Sequence, residues 1–188
     1  MQLPLRSYPY TIDNGHGESL TFSERIKDEQ GERVIGSNLV KPGSGPPMHV
    51  HYLQDEALTV VSGKIGWQRP GEEPQYAGPG ETAHFPAGDA HRFWNAGETD
   101  LHCTALVSPP GNIEYFLSEI FESTKQNGGR PSIFDAAYLT RRYRTEYRMM
   151  VVPAAVQSIV FPIIVAFGTV LGKYRKYANA PEPLRTRQ

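Results

Sequence analysis

Two stretches of sequence decide the fold: residues 43–63, GSGPPMHVHYLQDEALTVVSG, and residues 80–95, GETAHFPAGDAHRFWN. In the first stretch, a single valine separates His49 from His51. Alternate side chains of a β-strand lie on the same face, so a strand here directs both imidazoles to one spot. Turn-forming glycines and prolines surround this point. The sequence therefore predicts a short strand that presents two histidines between tight turns.

A carboxylate and a third histidine extend this cluster. Glu56 begins the next apolar segment, and its alternation with Leu58 and Val60 places it on the side of an apolar interior. A buried carboxylate that faces imidazoles is costly unless something compensates it, and a divalent cation is the simplest compensation. His91 follows a tight turn at the start of another strand, which makes it a fourth candidate ligand.

The two stretches fit the two sequence motifs of the cupin superfamily at every defining position. The matching residues are Gly43-x5-His49-x-His51-x4-Glu56-x6-Gly63 and Gly80-x5-Pro86-x-Gly88-x2-His91-x3-Asn95. The chain resembles small single-domain cupins of the quercetin-dioxygenase-like group, with the motif core at residues 33–108. This resemblance implies an all-β jelly-roll barrel, also called a double-stranded β-helix, with one divalent metal ion inside it.

The resemblance assigns the metal ligands to His49, His51, Glu56 and His91. Three neutral imidazoles and one carboxylate leave a divalent ion with net positive charge and, in octahedral geometry, two open positions. Iron, manganese, nickel, copper and zinc all accept such ligands, so the identity of the metal stays open. Glu56 is also the candidate catalytic base, whereas Asn95 is expected to brace a turn through hydrogen bonds.

Apolar and aromatic side chains near these ligands are the candidate walls of a substrate pocket: Met48, Leu58, Val60, Trp67, Phe85 and Phe93. Such a cavity suits a small apolar or aromatic molecule that carries an oxygen donor. By resemblance, the expected activity is that of a metal-dependent dioxygenase. Two alternatives stay open: a non-redox metal enzyme such as an isomerase or lyase, and a non-catalytic module that binds metal or ligand.

The part of the chain up to Gly111 has the pattern of an all-β domain, predicted over residues 1–111. Short segments rich in β-branched and aromatic residues alternate there with turn residues. The expected strands are Arg33–Val40, Glu56–Val61, Ile65–Gln68, His91–Trp94 and Leu101–Val107.

The pattern after Gly111 is helical, so residues 112–188 are predicted to form a helical C-terminal extension. From Ile113 onward, apolar residues recur with the spacing of an amphipathic helix, and Asn112 is a candidate N-cap. A second helix is expected from Ser132 to about Arg148.

The extension includes an apolar segment, residues 149–172, in which no residue is charged. Basic residues flank it on both sides, and its length would suffice to cross a bilayer. Pro153 and Pro162 interrupt it, however. Two interpretations follow: the segment packs on the barrel or on a second subunit, or it associates with a membrane.

Charge is distributed unevenly along the chain. Residues 1–140 carry 10 Lys and Arg against 18 Asp and Glu, whereas residues 141–188 carry 9 against 2. The acidic part argues against nucleic-acid binding, and the basic part favours contact with a membrane or a partner.

The cysteine content and the first residues of the chain allow expectations about disulfides, metal ligands and location. The single cysteine, Cys103, excludes an intrachain disulfide framework and a thiolate zinc site. The first residues show no signal peptide, so a cytoplasmic location is expected, with membrane association as the alternative. We expect a homodimer, with an edge strand drawn from Tyr8–Ile26, and a small-molecule substrate or ligand.

Overall fold

The structure is a computed structural model that describes residues 7–184. The expectation that the N-terminus carries no signal peptide concerns residues 1–6 and lies outside the described residues.

The β-strands pair antiparallel, and all but one of those described lie in the N-terminal part of the chain. Within residues 7–184 they are β1 (Tyr10–Asp13), β2 (Glu18–Asp28), β3 (Gly31–Val40), β4 (His49–His51), β5 (Asp55–Ser62), β6 (Ile65–Gln68), β7 (Gln75–Ala77), β8 (Thr82–Phe85), β9 (Ala90–Asn95), β10 (Leu101–Ser108) and β11 (Tyr147–Met149). The strands expected from the sequence lie in β3, β5, β6, β9 and β10, so that prediction is confirmed.

The strands form a jelly roll of two sheets. One sheet has the order β1-β2-β3-β10-β5-β8, and the other has the order β11-β4-β9-β6-β7. β1, β8, β11 and β7 stand at sheet edges, so the predicted barrel is open rather than closed. One of these edge strands, β11, comes from the C-terminal extension.

The description of the fold as all-β is wrong for the chain as a whole, because α-helices follow the sheets. The described residues include α1 (Ile113–Gln126), α2 (Ile133–Arg142) and α3 (Phe161–Val170). Asn112 precedes α1, as predicted, although its side chain makes no capping hydrogen bond to the helix. The division at residue 111 stays a prediction.

The apolar core between the sheets follows the alternation expected from the sequence. Leu58 and Val60 of β5 point into it together with Phe85, Phe93 and Cys103. A second core lies where α1 and α2 pack against the first three strands. Its buried members include Phe22, Phe116, Leu139, Tyr143 and Tyr147.

The second helix is shorter than predicted, and this correction matters for the site. Ser132 caps α2 by accepting a hydrogen bond from the Asp135 backbone N–H (3.1 Å), but the helix ends at Arg142 instead of near Arg148. The chain then turns and forms β11, which pairs with β4. The reason is tertiary: the edge of β4 offers unpaired backbone groups, and Tyr147 becomes buried when the two strands pair.

The apolar segment 149–172 does not form one continuous helix. It leaves β11, passes Pro153, and makes a π-helical stretch over Val156–Val160 that leads directly into α3. Within residues 7–184, no helix has both the length and the apolar character that a membrane span requires.

Asn95 braces the turn after β9, as the sequence predicts. Its side-chain amide donates hydrogen bonds to the carbonyls of Val40 (2.8 Å) and Thr99 (2.7 Å), and its carbonyl accepts one from the Gly97 N–H (2.8 Å). The residue is 1% exposed. One side chain therefore ties β9, the following turn and the end of β3 together.

We expect Asn95→Ala to lower the free energy of unfolding by about 1–3 kcal/mol, because it leaves buried backbone groups without a partner. Glu98→Ala, an exposed position in the same turn, is the control and should change stability by less than about 0.5 kcal/mol. Urea denaturation followed by circular dichroism measures both. Equal stability of the two variants would contradict the bracing role.

Candidate metal centre

Three strands bring four side chains to one point between the sheets. β4 carries His49 and His51, β9 carries His91 directly opposite His49, and β5 of the other sheet carries Glu56. One ligand atom from each of these residues lies within 4.8 Å of the others. These are the four residues that the sequence predicts as ligands; their use as ligands stays a prediction that the geometry allows.

Backbone carbonyls orient two of the imidazoles. His49 Nδ1 lies 2.8 Å from the Pro47 carbonyl, and His91 Nδ1 lies 3.0 Å from the Asp89 carbonyl. A carbonyl oxygen only accepts hydrogen bonds, so Nδ1 is the protonated nitrogen in each neutral ring. The lone pair of each ring is thereby placed on Nε2, which is the arrangement that metal-ligating histidines usually have.

A tight turn also holds β4 in place beside β9. Gly88 adopts a φ of 91°, a conformation that favours glycine, and its N–H donates a hydrogen bond to the His51 carbonyl (2.7 Å). The turn that precedes His91 is therefore fastened to the strand that carries the other two histidines.

The position of Glu56 supports a cation at this point. Its Oε2 lies 3.2 Å from His91 Nε2 and 3.7 Å from His51 Nε2. In neutral His91 the Nε2 atom has a lone pair, and two acceptors at this distance repel each other. A proton or a metal cation between them removes the repulsion, so the donor set fits a divalent ion.

Protonation states in the cluster also suit a metal. Burial, together with the neighbouring His51 and His91 rings, lowers the pKa of His49 to about 3, and burial lowers the pKa of His51. Burial alone would raise the pKa of Glu56, but a hydrogen bond from His91, with the proton on Nε2, and the positive charge of the neighbouring imidazoles when protonated lower it to about 2. At neutral pH, His49 is therefore a neutral imidazole and Glu56 a carboxylate, as ligation requires.

The six predicted pocket residues lie partly in the apolar core and partly along a groove beside it. Phe85 stacks on the His91 ring with a centroid distance of 3.9 Å, while Leu58 and Val60 lie fully within the core. Met48 and Phe93 line a groove of about 590 Å³ beside β4 and β9, and Trp67 packs on the core from the side. Contact of these six residues with a substrate stays a prediction.

Two other polar residues lie outside the cluster. His84 is exposed on β8. Asp55 points away from the cluster and accepts a hydrogen bond from the Ala87 N–H (2.7 Å).

Comparison with known proteins agrees with this arrangement. The sequence profile described as "Cupin domain" matches residues 39–107. This part of the chain is a cupin domain. The matched residues include all four members of the cluster.

Relatives of the cupin domain include two named enzymes. The chain is 33% identical over 107 residues to "Probable oxidoreductase virH" from Hypocrea virens, which is 52% of this chain and 48% of that protein. It is 26% identical over 125 residues to quercetin 2,3-dioxygenase from Bacillus subtilis, which is 62% of this chain and 36% of that protein. The chain thus matches half or less of the length of each relative.

A solved structure with a double-stranded β-helix domain, from Klebsiella pneumoniae, is also similar. It is 20% identical, covers 57% of this chain and 82% of that chain, and has a TM-score of 0.42.

Sequence reasoning missed a residue outside the cupin domain that contacts the cluster. Tyr147 of β11 lies opposite His51, and its ring meets the His51 imidazole edge-on at a centroid distance of 5.4 Å. The Nδ1 atom of His51 is buried without a hydrogen-bond partner among the described residues. Tyr147 therefore packs on a ring that also contacts the rings of His49 and His91.

Buried Glu146 anchors β11 in this position. It is 0% exposed, and it accepts hydrogen bonds from the backbone N–H (3.0 Å) and side-chain amide (2.7 Å) of Asn112, and from the Leu184 N–H (2.9 Å). The Tyr147 hydroxyl donates a fourth hydrogen bond (3.3 Å), and the four bonds together compensate the buried carboxylate. The only signal in the sequence was the lone acidic residue among the arginines of this region, which gave no indication of its partners.

We expect the double substitution His49→Ala/His51→Ala to abolish metal binding, because it removes two of four ligands. Metal content after incubation with each candidate metal and removal of the excess, measured by mass spectrometry, tests this. His84→Ala is the matched control, since it removes an exposed histidine outside the cluster. Retention of the metal by the double variant would show that the site has been assigned to the wrong residues.

We expect Tyr147→Ala to weaken metal affinity by about tenfold, the size of effect typical of residues that orient a ligand. Tyr147→Phe keeps the ring and should bind metal as the wild type does, which separates the ring contact from the hydroxyl. Competition with a chelator of known affinity measures both. If the alanine variant binds as tightly as the phenylalanine variant, Tyr147 has no orienting role.

Proposed function

We propose that the protein is a metal-dependent dioxygenase that acts on a small apolar or aromatic molecule with an oxygen donor. The observation that carries this proposal is the cluster itself. Three imidazoles and one carboxylate converge between two sheets whose facing side chains are apolar. These four residues would hold a divalent ion, which could then bind oxygen donors of a small molecule as well.

In such a reaction, the histidines would hold the metal ion in a fixed position. His49 and His91 are held by the carbonyls of Pro47 and Asp89, so their Nε2 atoms stay fixed while a substrate enters. A redox-active divalent ion bound there supplies a Lewis acid for the donor oxygen and electron transfer towards dioxygen.

Glu56 is the candidate for the proton transfer. Its lowered pKa keeps it ionised at neutral pH, and its Oε2 is the carboxylate atom that faces His51 and His91. A carboxylate at this place can accept the proton of a substrate hydroxyl or enol, which increases the electron density on the donor oxygen.

Apolar packing around the cluster would keep water away from the reaction. Phe85 covers one face of His91, and the apolar core between the sheets continues from that contact. Exclusion of water strengthens electrostatic interactions and protects reactive species from hydrolysis. The oxidoreductase and quercetin 2,3-dioxygenase names of the two relatives support this choice over a non-redox reaction.

We expect protein loaded with iron, manganese, nickel or copper to consume oxygen with a flavonol or a β-diketone, and both atoms of labelled dioxygen to enter the product. Glu56→Gln should reduce the rate at least about 100-fold, as loss of a base commonly does. An oxygen electrode and mass spectrometry of the product measure these effects. His84→Ala should turn over as the wild type does.

Two results would contradict the proposal. Conversion of substrate without oxygen uptake, above all with zinc, would indicate an isomerase or lyase. Binding of these molecules without any turnover, whichever metal is loaded, would indicate a binding module.

A further inference from the structure

Three arginine residues line one groove at the C-terminal end of α2. The groove has a volume of about 460 Å³. Arg141 lies in the last turn of α2, Arg144 lies in the turn that follows, and Arg148 lies in β11. Ala154 and Phe161, from the segment that follows β11, contribute apolar surface to the same groove. We call this cavity the arginine groove.

Acidic side chains do not neutralise these arginines. Among the described residues, none of the three forms an ion pair with a carboxylate. The sequence from residue 141 to its end contains two acidic residues, Glu146 and Glu182. Glu146 is buried within its own hydrogen bonds, and Glu182 pairs with Arg142. The positive charges of the groove therefore repel one another, and an anion would relieve that repulsion.

Most hydrogen-bond donors of these arginines are unused by the protein. A guanidinium group carries several N–H donors in a fixed planar fork. In the part of the chain that the structure describes, the three side chains make one hydrogen bond, from Arg144 Nη1 to the Arg141 carbonyl (3.2 Å). The neighbouring Arg142 differs, because it donates to two backbone carbonyls and to Glu182. The arginine groove therefore offers both positive charge and available donors to a ligand.

The end of α2 compensates only a part of the charge. The C-terminus of a helix carries a partial negative charge equivalent to about half an elementary charge, which favours nearby cations. Arg141 and Arg144 lie at this end, whereas Arg148 belongs to a strand. Three positive charges exceed what one helix end can balance, so most of the charge is left for a ligand.

We propose that the arginine groove binds the phosphate group of a small organic phosphate ester. A phosphate monoester carries a charge of about −1.5 to −2 at neutral pH and three strong acceptor oxygens, which suit several guanidinium forks. A carboxylate brings a single charge. The volume of about 460 Å³ lies within the range of about 300–1,000 Å³ that is typical of small-molecule sites. Ala154 and Phe161 can contact the organic part of the ester.

The arginine groove lies one side chain away from the metal centre. Tyr147 lines the groove and also contacts the His51 ring. Arg148 lies opposite Val50, the residue between the two histidines of β4. The arginines themselves are not part of the metal cluster. The phosphate site therefore does not depend on the proposed dioxygenase activity.

Isothermal titration calorimetry of the metal-loaded full chain tests the proposal, with phenyl phosphate as the probe. We expect phenyl phosphate to bind at least about tenfold more tightly than inorganic phosphate or benzoate. Inorganic phosphate lacks the organic part, and benzoate lacks the second charge. Each protein is first checked by circular dichroism, so that a misfolded variant is not scored.

Paired substitutions locate the binding site. Arg141→Gln/Arg144→Gln removes two exposed arginines of the groove and should weaken phenyl phosphate binding at least about tenfold. Lys27→Gln/Arg130→Gln is the matched control, because it removes the same charge at two exposed positions outside the groove. The control should bind phenyl phosphate as the wild type does.

A second pair of substitutions separates the groove from the metal centre, since a phosphate group can also bind a metal ion. His49→Ala/His51→Ala should bind phenyl phosphate as the wild type does. Loss of binding in this variant would place the phosphate on the metal and overturn the proposal. Absence of binding to the wild type, or equal weakening by the groove pair and the control pair, would overturn it as well.

Cosedimentation with vesicles that contain phosphatidic acid distinguishes the sources of the phosphate group. Sedimentation that phenyl phosphate reverses would support the same site, with a lipid headgroup as its ligand. Binding of phenyl phosphate without sedimentation would support a soluble ester.

Discussion

The meeting of one carboxylate with three imidazoles between two sheets is the constraint on which the structure depends. Glu56 comes from one sheet, whereas His49, His51 and His91 come from the other. Polar groups are costly in an apolar interior unless they are paired, and a proton or a cation shared across the gap would pair these groups. Several features hold the strands that carry these side chains. They are the turns before β4 and β9, the stacking of Phe85 on His91 and the buried amide of Asn95.

The C-terminal extension is part of this arrangement. β11 pairs with β4, so the strand that carries two of the histidines has neighbours on both sides. Glu146 fastens β11 to the start of α1 and to the chain near Leu184, and Tyr147 reaches the His51 ring. The extension therefore supports the cluster through one strand.

Local sequence pattern predicted the cluster and most of the strands, because alternate residues of a β-strand lie on the same face of the sheet. The spacing of His49 and His51, and the alternation of Glu56 with Leu58, determined which side chains face inward, and the structure agrees. Helix periodicity likewise located the start of α1 at Ile113.

Features decided by distant contacts could not be predicted in this way. Residues 143–149 continue the apolar and basic character of α2, so the sequence favoured one long helix. The chain instead leaves the helix because Glu146 and Tyr147 find partners in Asn112, Gln54 and His51, which are far away in sequence. The open edges of the two sheets are also a tertiary property, which no single segment encodes.

Anomalous diffraction from crystals of the metal-loaded protein, collected at the absorption edge of the metal, tests the central claim most directly. The account predicts one peak per chain, within bonding distance of Nε2 of His49, His51 and His91 and of a Glu56 carboxylate oxygen. A peak at other residues, or no peak between the sheets in protein that contains metal, would contradict it.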